Sequence, residues 1–360
     1  MNDRRPVFKS SRIAKFKGWL QKHWIAATII SASVLITAVF VFALSGIKEE
    51  TFSIGTNTQR PKPAVRYFSE LTGIEVGDEA ATKQAVTAVM IENSPDSRPQ
   101  SGLKRAGIVY ETVAEGGITR FLAIYQHDKP ELIGPVRSLR IYYLDWAAPY
   151  QASIAHVGGS YNALQEVGNG NYRDLDQSFN ASAYWRSSDR YAPHNVYTSG
   201  KNLDDLNNSK GFNQSSFTSF KRADEKPAEE PTANTIFANF SSELFATSYA
   251  YDKESNSYLR SLAGATHNDR EEGQINPKSI VVLKVTTQSR GGADGYEDVV
   301  TNGSGQAYIF QNGSAQEATW RKDGRTEPLR LIDQDGKDLS LVRGQTWVAA
   351  ITERGSVSWQ

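Results

Sequence analysis

The sequence predicts an α/β (α+β) domain with a mixed sheet, then a smaller all-β antiparallel domain, with one transmembrane helix in front of both. Three observations predict it. Trp24 to Ile47 is a run of 24 residues without a charge. Between Ala85 and Val167 short apolar runs of strand character alternate with runs of helical period, which is the pattern of α/β units. Beyond Pro231 short strand-like runs follow one another with Asn312-Gly313 and Asp335-Gly336 turns between them. With 360 residues, 39% hydrophobic and 11% aromatic, the chain has enough apolar material for the cores of two domains.

The N-terminal tail, 1–23, carries seven basic residues (Arg4, Arg5, Lys9, Arg12, Lys15, Lys17, Lys22) against the single acid Asp3. The remainder then holds 33 basic and 39 acidic residues, a net charge of about −6 that argues against nucleic-acid binding by bulk electrostatics. A helix over 24–47 is long enough for the hydrocarbon core at about 1.5 Å per residue. The basic flank places the N-terminus in the cytoplasm and everything after Lys48 outside, at the plasma membrane. Ala43-Leu44-Ser45 would suit signal cleavage, but the apolar run exceeds the usual length of such segments. There is no cysteine, which excludes disulfides, a thiolate nucleophile and a lipid-modified N-terminal Cys.

Residues 48–64 are polar and end in Arg60-Pro61-Lys62-Pro63, an extended tether. The α/β domain is expected over 65–220. Ala85 to Ile91 reads as a buried strand. Gly107 to Val113 and Ile118 to Gln126 form a hairpin around Gly116-Gly117. Leu139, Tyr142, Tyr143 and Trp146 recur at i, i+3, i+4 and i+7, which predicts a helix over Ser138 to Ala148 stopped by Pro149. Ala152 to Val157 is a further strand, and Gly158-Gly159-Ser160 turns into a helix over Tyr161 to Val167. Residues 221–231, charged and holding two prolines, read as a linker. The β-domain follows over 232–360, with strands at Thr247 to Tyr251, Ser257 to Ser261, Ser279 to Thr287, Gln306 to Phe310, Glu317 to Arg321, Leu329 to Ile332 and Thr346 to Thr352.

The ordered motifs VMIEN (Val89 to Asn93), RPQSGL (Arg98 to Leu103), IVYETVAEGGITRFLAIY (Ile108 to Tyr125), IGPVRSLR (Ile133 to Arg140), HVGGS (His156 to Ser160) and APHNVY (Ala192 to Tyr197) resemble those of the YerB-like family. Further matches lie in YDKESNSYLR (Tyr251 to Arg260), GSGQAYIF (Gly303 to Phe310) and DGKDLSLVRGQTWV (Asp335 to Val348), so the resemblance covers roughly Ser69 to Thr352. That family comprises bacterial cell-envelope proteins, often lipoproteins, built on a domain of unknown function. The resemblance therefore implies an extracytoplasmic protein held at the membrane and supplies no activity. The chain departs from lipidated relatives in having no cysteine.

Arg137 and Arg140 stand three residues apart at the start of the expected helix, where like charges on one face disfavour it. A distant carboxylate or a bound anion must offset them. If Ile118 to Gln126 and Ala152 to Val157 are parallel neighbours, the arginines and the Gly158-Gly159-Ser160 turn meet at the carboxyl edge of the sheet, where open α/β sheets bind ligands. Arg137, Arg140, Gly158, Gly159 and Ser160 are thus the candidate site for a phosphate- or carboxylate-bearing ligand. The competing reading pairs the arginines with Glu111 or Glu115 as a lock between helix and sheet. Glu115 and Arg120 read as an ion pair at the hairpin tip, roughly 20 Å from the far end of the strand at about 3.3 Å per residue, and are not expected to share a site with Arg137.

His156, Asp145 and His194 are the candidate proton carriers. His267 and Asp269 would offer a metal only two ligands, so no metal and no cofactor is expected. No G-x-S-x-G, H-E-x-x-H, P-loop or dinucleotide fingerprint is present. Two functions stay open. One is a membrane-anchored envelope protein binding an anionic wall component, a lipid-linked glycan or a protein partner. The other is a phosphoryl or glycosyl transferase, whose layout is similar to that of wall-teichoic-acid ligases of the LytR type.

Overall fold

A computed structural model describes residues 11–45, 65–289 and 297–360. The expected tether, 48–64, and the last two residues of the expected span lie outside these. The chain divides into two units, Met1–Ala64 and Val65–Gln360.

In the first unit α1 runs from Ser11 to Ser45, so the helix continues from the apolar run back through much of the basic tail, with non-helical angles at His23 (φ −125°, ψ 20°). Among the described residues no helix is long and apolar enough to cross a membrane, and the expected transmembrane helix is not supported by them.

The second unit is built on a ten-stranded mixed sheet. Its N-terminal strands are β1 (Thr87–Glu92), β2 (Ile108–Val113), β3 (Thr119–Tyr125), β4 (Ser153–His156) and β5 (Arg173–Asp176). A two-residue hairpin, β6 (Trp185–Arg186) with β7 (Val196–Tyr197), follows. A five-stranded antiparallel sheet takes β8 (Thr235–Asn239), β9 (Ala246–Asp252), β10 (Ser257–Leu262), β11 (Ala265–Thr266) and, at the C-terminus, β17 (Ser356–Trp359). The remaining strands, β12 (Ser279–Lys284), β13 (Gly303–Gln311), β14 (Ser314–Lys322), β15 (Arg330–Ile332) and β16 (Thr346–Ile351), return to the large sheet. Its order is β15-β14-β13-β12-β16-β2-β3-β1-β4-β5.

Central strands of this sheet are buried on both faces, which is why β1 reads as a continuous apolar run instead of an alternation. Ala88 and Met90 face the layer containing Tyr142, Tyr143, Trp146 and Ala163, from the helices α2 (Ile141–Ala147) and α3 (Tyr161–Val167). Val89 and Ile91 face the layer containing Ile236, Tyr249 and Tyr258 of the five-stranded sheet. Helices, large sheet and small sheet therefore form three layers. A further helix, α4 (Gly200–Ser209), starts on the side-chain cap of Ser199, which accepts from Asn202 N.

This corrects the expected organisation in two respects. The C-terminal strands do not close on themselves as a separate antiparallel domain, because β16 is parallel to both β12 and β2 and joins the two halves edge to edge. Part of the expected linker is also a strand, Lys221–Ala223, paired with Ser340–Val342. The prolines and charges that suggested a tether mark a surface segment with few apolar side chains to bury.

Candidate functional site

The position of the candidate residues follows from strand direction. β1, β2, β4 and β5 point the same way and β3 points against them. The expectation that β3 and β4 are parallel neighbours is wrong: β1 lies between them and β3 runs antiparallel to it. After Tyr125 the chain is consequently at the opposite edge and returns in extended form. It bridges Gly134 to Ser101 and Val136 to Ile91 on the way. Arg137 N donates to Met90 O (2.9 Å), Val157 N to Arg137 O (3.1 Å) and Leu139 N to Gly158 O (3.0 Å). IGPVRSLR and HVGGS thus do meet at the carboxyl edge, through backbone pairing.

Arg137 and Arg140 are not on the helix. α2 begins at Ile141, with Arg140 as its extended N-cap (φ −125°, ψ 153°), so the expected like-charge cost within a helix does not arise. Both arginines meet carboxylates. Arg137 Nε lies 3.1 Å from Glu92 Oε1, an ion contact that is not aligned as a hydrogen bond. Arg140 Nε donates to Glu115 Oε1. Arg120 bonds the same Glu115 (3.3 Å) and donates to Ser138 O (2.7 Å). Glu115 and Arg120 are in contact, but not at the expected distance from Arg137. Because β3 starts at this edge, Arg120 sits opposite Glu92 in the ladder and the pair belongs to the same cluster. Burial pushes the Glu115 carboxyl up, and the two guanidiniums outweigh burial to hold it below the ordinary range.

The glycines have backbone reasons. Gly158 has φ +58°, in the left-handed region. A Cβ on Gly159 would stand 3.0 Å from Leu139 O, inside the bridge that holds the two loops together. Beside them the Ser160 hydroxyl is buried and, among the described residues, has no hydrogen-bond partner.

Of the three candidate proton carriers, two are spoken for. His156 is fully buried, with Nδ1 2.8 Å from Gly158 O and Nε2 3.0 Å from Asp174 Oδ1. Both nitrogens face protein acceptors inside the fold, so neither is open to a ligand. Asp145 lies on α2 away from the edge, bonded to Thr301 Oγ1 (2.5 Å) and Arg325 Nε (2.5 Å). His194 lines an open cleft. Its Nδ1 contacts Glu92 Oε2 (2.9 Å) and Ser94 Oγ (3.2 Å). Both contacts use one nitrogen, so these three residues are not a nucleophile–base–orienter relay, which needs opposite ring nitrogens.

His267 and Asp269 do not form half of a metal site. His267 is buried against Arg260 and Gln100, and the Asp269 carboxylate accepts from Lys104 N (3.1 Å) and Glu271 N (3.2 Å). Among the described residues no group of three or more His, Cys, Asp or Glu is placed to hold a metal.

One network escaped the sequence. Glu111 and Arg260, both fully buried, pair at 2.7 Å. Arg260 also donates to His267 Nδ1, and since arginine can only donate, that nitrogen accepts and Nε2–H donates to Gln100 Oε1 (2.9 Å). Gln100 Nε2 then donates to Asn93 Oδ1 (3.0 Å), Asn93 Nδ2 to Thr119 Oγ1 (2.6 Å), and Thr119 Oγ1 to Glu111 Oε1 (3.0 Å). The ring closes by two routes that both run from Arg260, which only donates, to Glu111, which accepts from Thr119 and from Arg260 itself. Trp347 Nε1 donates to Glu111 Oε2 (3.0 Å), and the Arg260 guanidinium lies 4.4 Å from the Trp347 ring.

The fold and this edge define a class: three-layer mixed α/β proteins whose central sheet is shared by two sequence segments. The chain belongs to the family described as Protein of unknown function (DUF3048), with residues 71–213 matching its N-terminal domain and 236–348 its C-terminal domain. It is 33% identical over 305 residues to the "Putative lipoprotein YerB" of Bacillus subtilis (strain 168), covering 83% of this chain and 90% of that protein. The crystal structure of the YerB protein from Bacillus subtilis superposes with a TM-score of 0.73 at 29% identity, covering 81% of this chain and 99% of that one. The YerB-like resemblance read from the motifs is thereby established.

Proposed function

We propose that the chain is an extracytoplasmic cell-envelope protein, anchored by one membrane span, that binds an anionic ligand bearing phosphate or carboxylate at the carboxyl edge of its large sheet. The uncharged run Trp24 to Ile47 supports the anchor. The relative in Bacillus subtilis is named a lipoprotein, and a chain without cysteine needs another means of attachment. Alkaline carbonate extraction tests this: a spanning protein stays in the membrane pellet, and release into the supernatant overturns the anchor.

Arg137 is the observation that supports the ligand. Its guanidinium has one carboxylate contact, its side chain remains 27% exposed, and the unpartnered Ser160 hydroxyl belongs to the loop bridged to its own. Arg140 acts at one remove, fixing Glu115 and the start of α2. The helices contribute little, since each has only seven residues. Calorimetric titration with inorganic pyrophosphate should show binding that Arg137→Ala weakens about 10-fold, or about 1.4 kcal/mol. Equal binding in both proteins, or none in the wild type, overturns the reading. The transferase alternative loses His156 and Asp145 as proton carriers and is left with His194.

A further inference from the structure

Among the described residues of Val65–Gln360, five aromatic side chains are strongly exposed: Tyr161 (76%), Phe179 (84%), Trp185 (39%), Tyr191 (91%) and Phe237 (46%). Four of them sit on the segments around one edge of the sheet. Tyr161 follows the bridge at Gly159, and Phe179 lies in the turn after β5, where Phe179 N donates to Asp176 O (3.1 Å). Trp185 is on the β6–β7 hairpin, whose Val196 O accepts from Val136 N (2.7 Å). Tyr191 O accepts from His194 N (2.9 Å). Leaving large rings in water costs hydrophobic free energy that the core would recover, and here the cost is concentrated in one place.

Charge is concentrated there as well. Tyr191 and His194 line a cleft of about 730 Å³ with Arg98, Arg190 and Arg270. Asp189 pairs with Arg270 (2.6 Å), and Asp96 also lies in the wall. Arg190 is held differently. It donates to the carbonyls of Asp96 (2.9 Å), Arg98 (3.5 Å) and Pro99 (2.6 Å). Arg98 donates to Asn93 Oδ1 (3.1 Å) and to the carbonyls of Asn93 and Leu244 (both 2.9 Å). Arg186 donates to Asn195 Oδ1 (2.8 Å). Neutral oxygens orient these guanidiniums without cancelling their charge, so they stay available to an anion.

The geometry points to an anionic polysaccharide as the occupant: sugar rings lie on Tyr161, Phe179 and Tyr191, and phosphate or carboxylate groups on the chain meet Arg98 and Arg190. A protein partner would require a contiguous apolar centre. Here each ring is flanked in sequence by a polar or charged residue, such as Ser160 and Asn162 or Ser178 and Asn180. A chain that alternates ring faces with charges offers a partner to both the exposed rings and the guanidiniums. The inference rests on the proposed anion-binding edge and extends it to the neighbouring cleft, which Glu92 joins to Arg137 through its contacts with both Arg137 and His194.

The test uses the full chain in detergent. Four probes are titrated: soluble bacterial wall glycan carrying phosphodiester-linked polymer, the same glycan after hydrofluoric acid removes that polymer, polygalacturonate, and neutral chitohexaose. Wild type should bind a charged probe at least 10-fold more tightly than chitohexaose, and the acid-treated and polygalacturonate arms assign the charge to phosphate or carboxylate. Tyr191→Ala with Phe179→Ala should weaken that binding at least 10-fold without shifting the unfolding transition, since both rings are outside the core. Arg190→Gln with Arg98→Gln should remove its salt dependence. Wild-type-like affinity in the aromatic variant, equal affinity for neutral and charged glycans, or binding to anionic lipid vesicles in place of glycan overturns the inference. Pyrophosphate is the separating control. If it binds through Arg137 and no glycan binds, this inference fails alone. If glycan binds through the rings and pyrophosphate does not bind, the Arg137 reading fails alone.

Discussion

Arg260→Met lowers the stability of the folded unit by about 3–5 kcal/mol, the cost of leaving a buried carboxylate without its partner. Glu111 and Arg260 are both fully buried, and no water can replace the guanidinium at 2.7 Å. The double variant Glu111→Leu with Arg260→Met should recover most of the loss, because apolar groups remove the stranded charge. Denaturant unfolding followed by tryptophan fluorescence reads this directly, with Trp347 against the pair. Arg260 is on β10 in the second family segment and Glu111 on β2 in the first, and the large sheet runs through both. The loss should therefore appear as a shift of one transition. Two transitions, with only the second segment affected, would contradict the single-sheet account.

Acid should destabilise the protein from about pH 6.5 downward through His267. Burial, with the Arg260 charge added, pushes its pKa well below 6.5. In the folded ring it is neutral, because Nδ1 must accept from Arg260. A depressed folded pKa contributes stability that is present above the unfolded value and lost as pH falls below it. The unfolded state takes up the proton first, at about 1 kcal/mol per pH unit. Stability measured between pH 7 and 5 should fall with that slope, and His267→Asn should flatten it. An unchanged slope in the variant would show that other groups carry the acid sensitivity. Carboxylates such as Glu115 and Asp174, held low by basic partners, lose their contribution only at lower pH.

Much of the fold was legible because local patterns agreed with it. The helix predicted over Tyr161 to Val167 is found at those residues, and seven C-terminal strands were placed within a few residues of their observed ends. Strand order was not legible. Nothing local in Ile118 to Gln126 records that β1 will insert between it and β4, and that one pairing moved the Glu115–Arg120 tip to the edge that carries Arg137. The separate β-domain failed for a related reason, since the period of β16 cannot tell a parallel neighbour from an antiparallel one.

The site divides in the same way. Arg137 and HVGGS come together through backbone pairing, not through the parallel strand neighbours assumed from the sequence, and Glu115 meets Arg140. The ring of Glu111, Arg260 and His267 was not legible, because its members are 149 and 7 residues apart: Glu111 read only as a possible partner of Arg137 and Arg140, and His267 only as one of two metal ligands. His194 was visible only as a histidine in a polar loop. Its partner Glu92 ends a buried strand, where a carboxylate is rare unless paired, and that is the signal that would have joined them.

Arg137 is either a lock or a ligand, and Glu92→Gln separates the two by sign. If Arg137 receives an anion, Glu92 competes with that anion, and the neutral amide should tighten pyrophosphate binding about 3- to 10-fold by calorimetric titration, roughly 1 kcal/mol. If Arg137 only locks loop to strand, the substitution loosens the edge, and binding is unchanged or weaker in the variant than in the wild type. Tighter binding is the result this account predicts, and unchanged or weaker binding contradicts it.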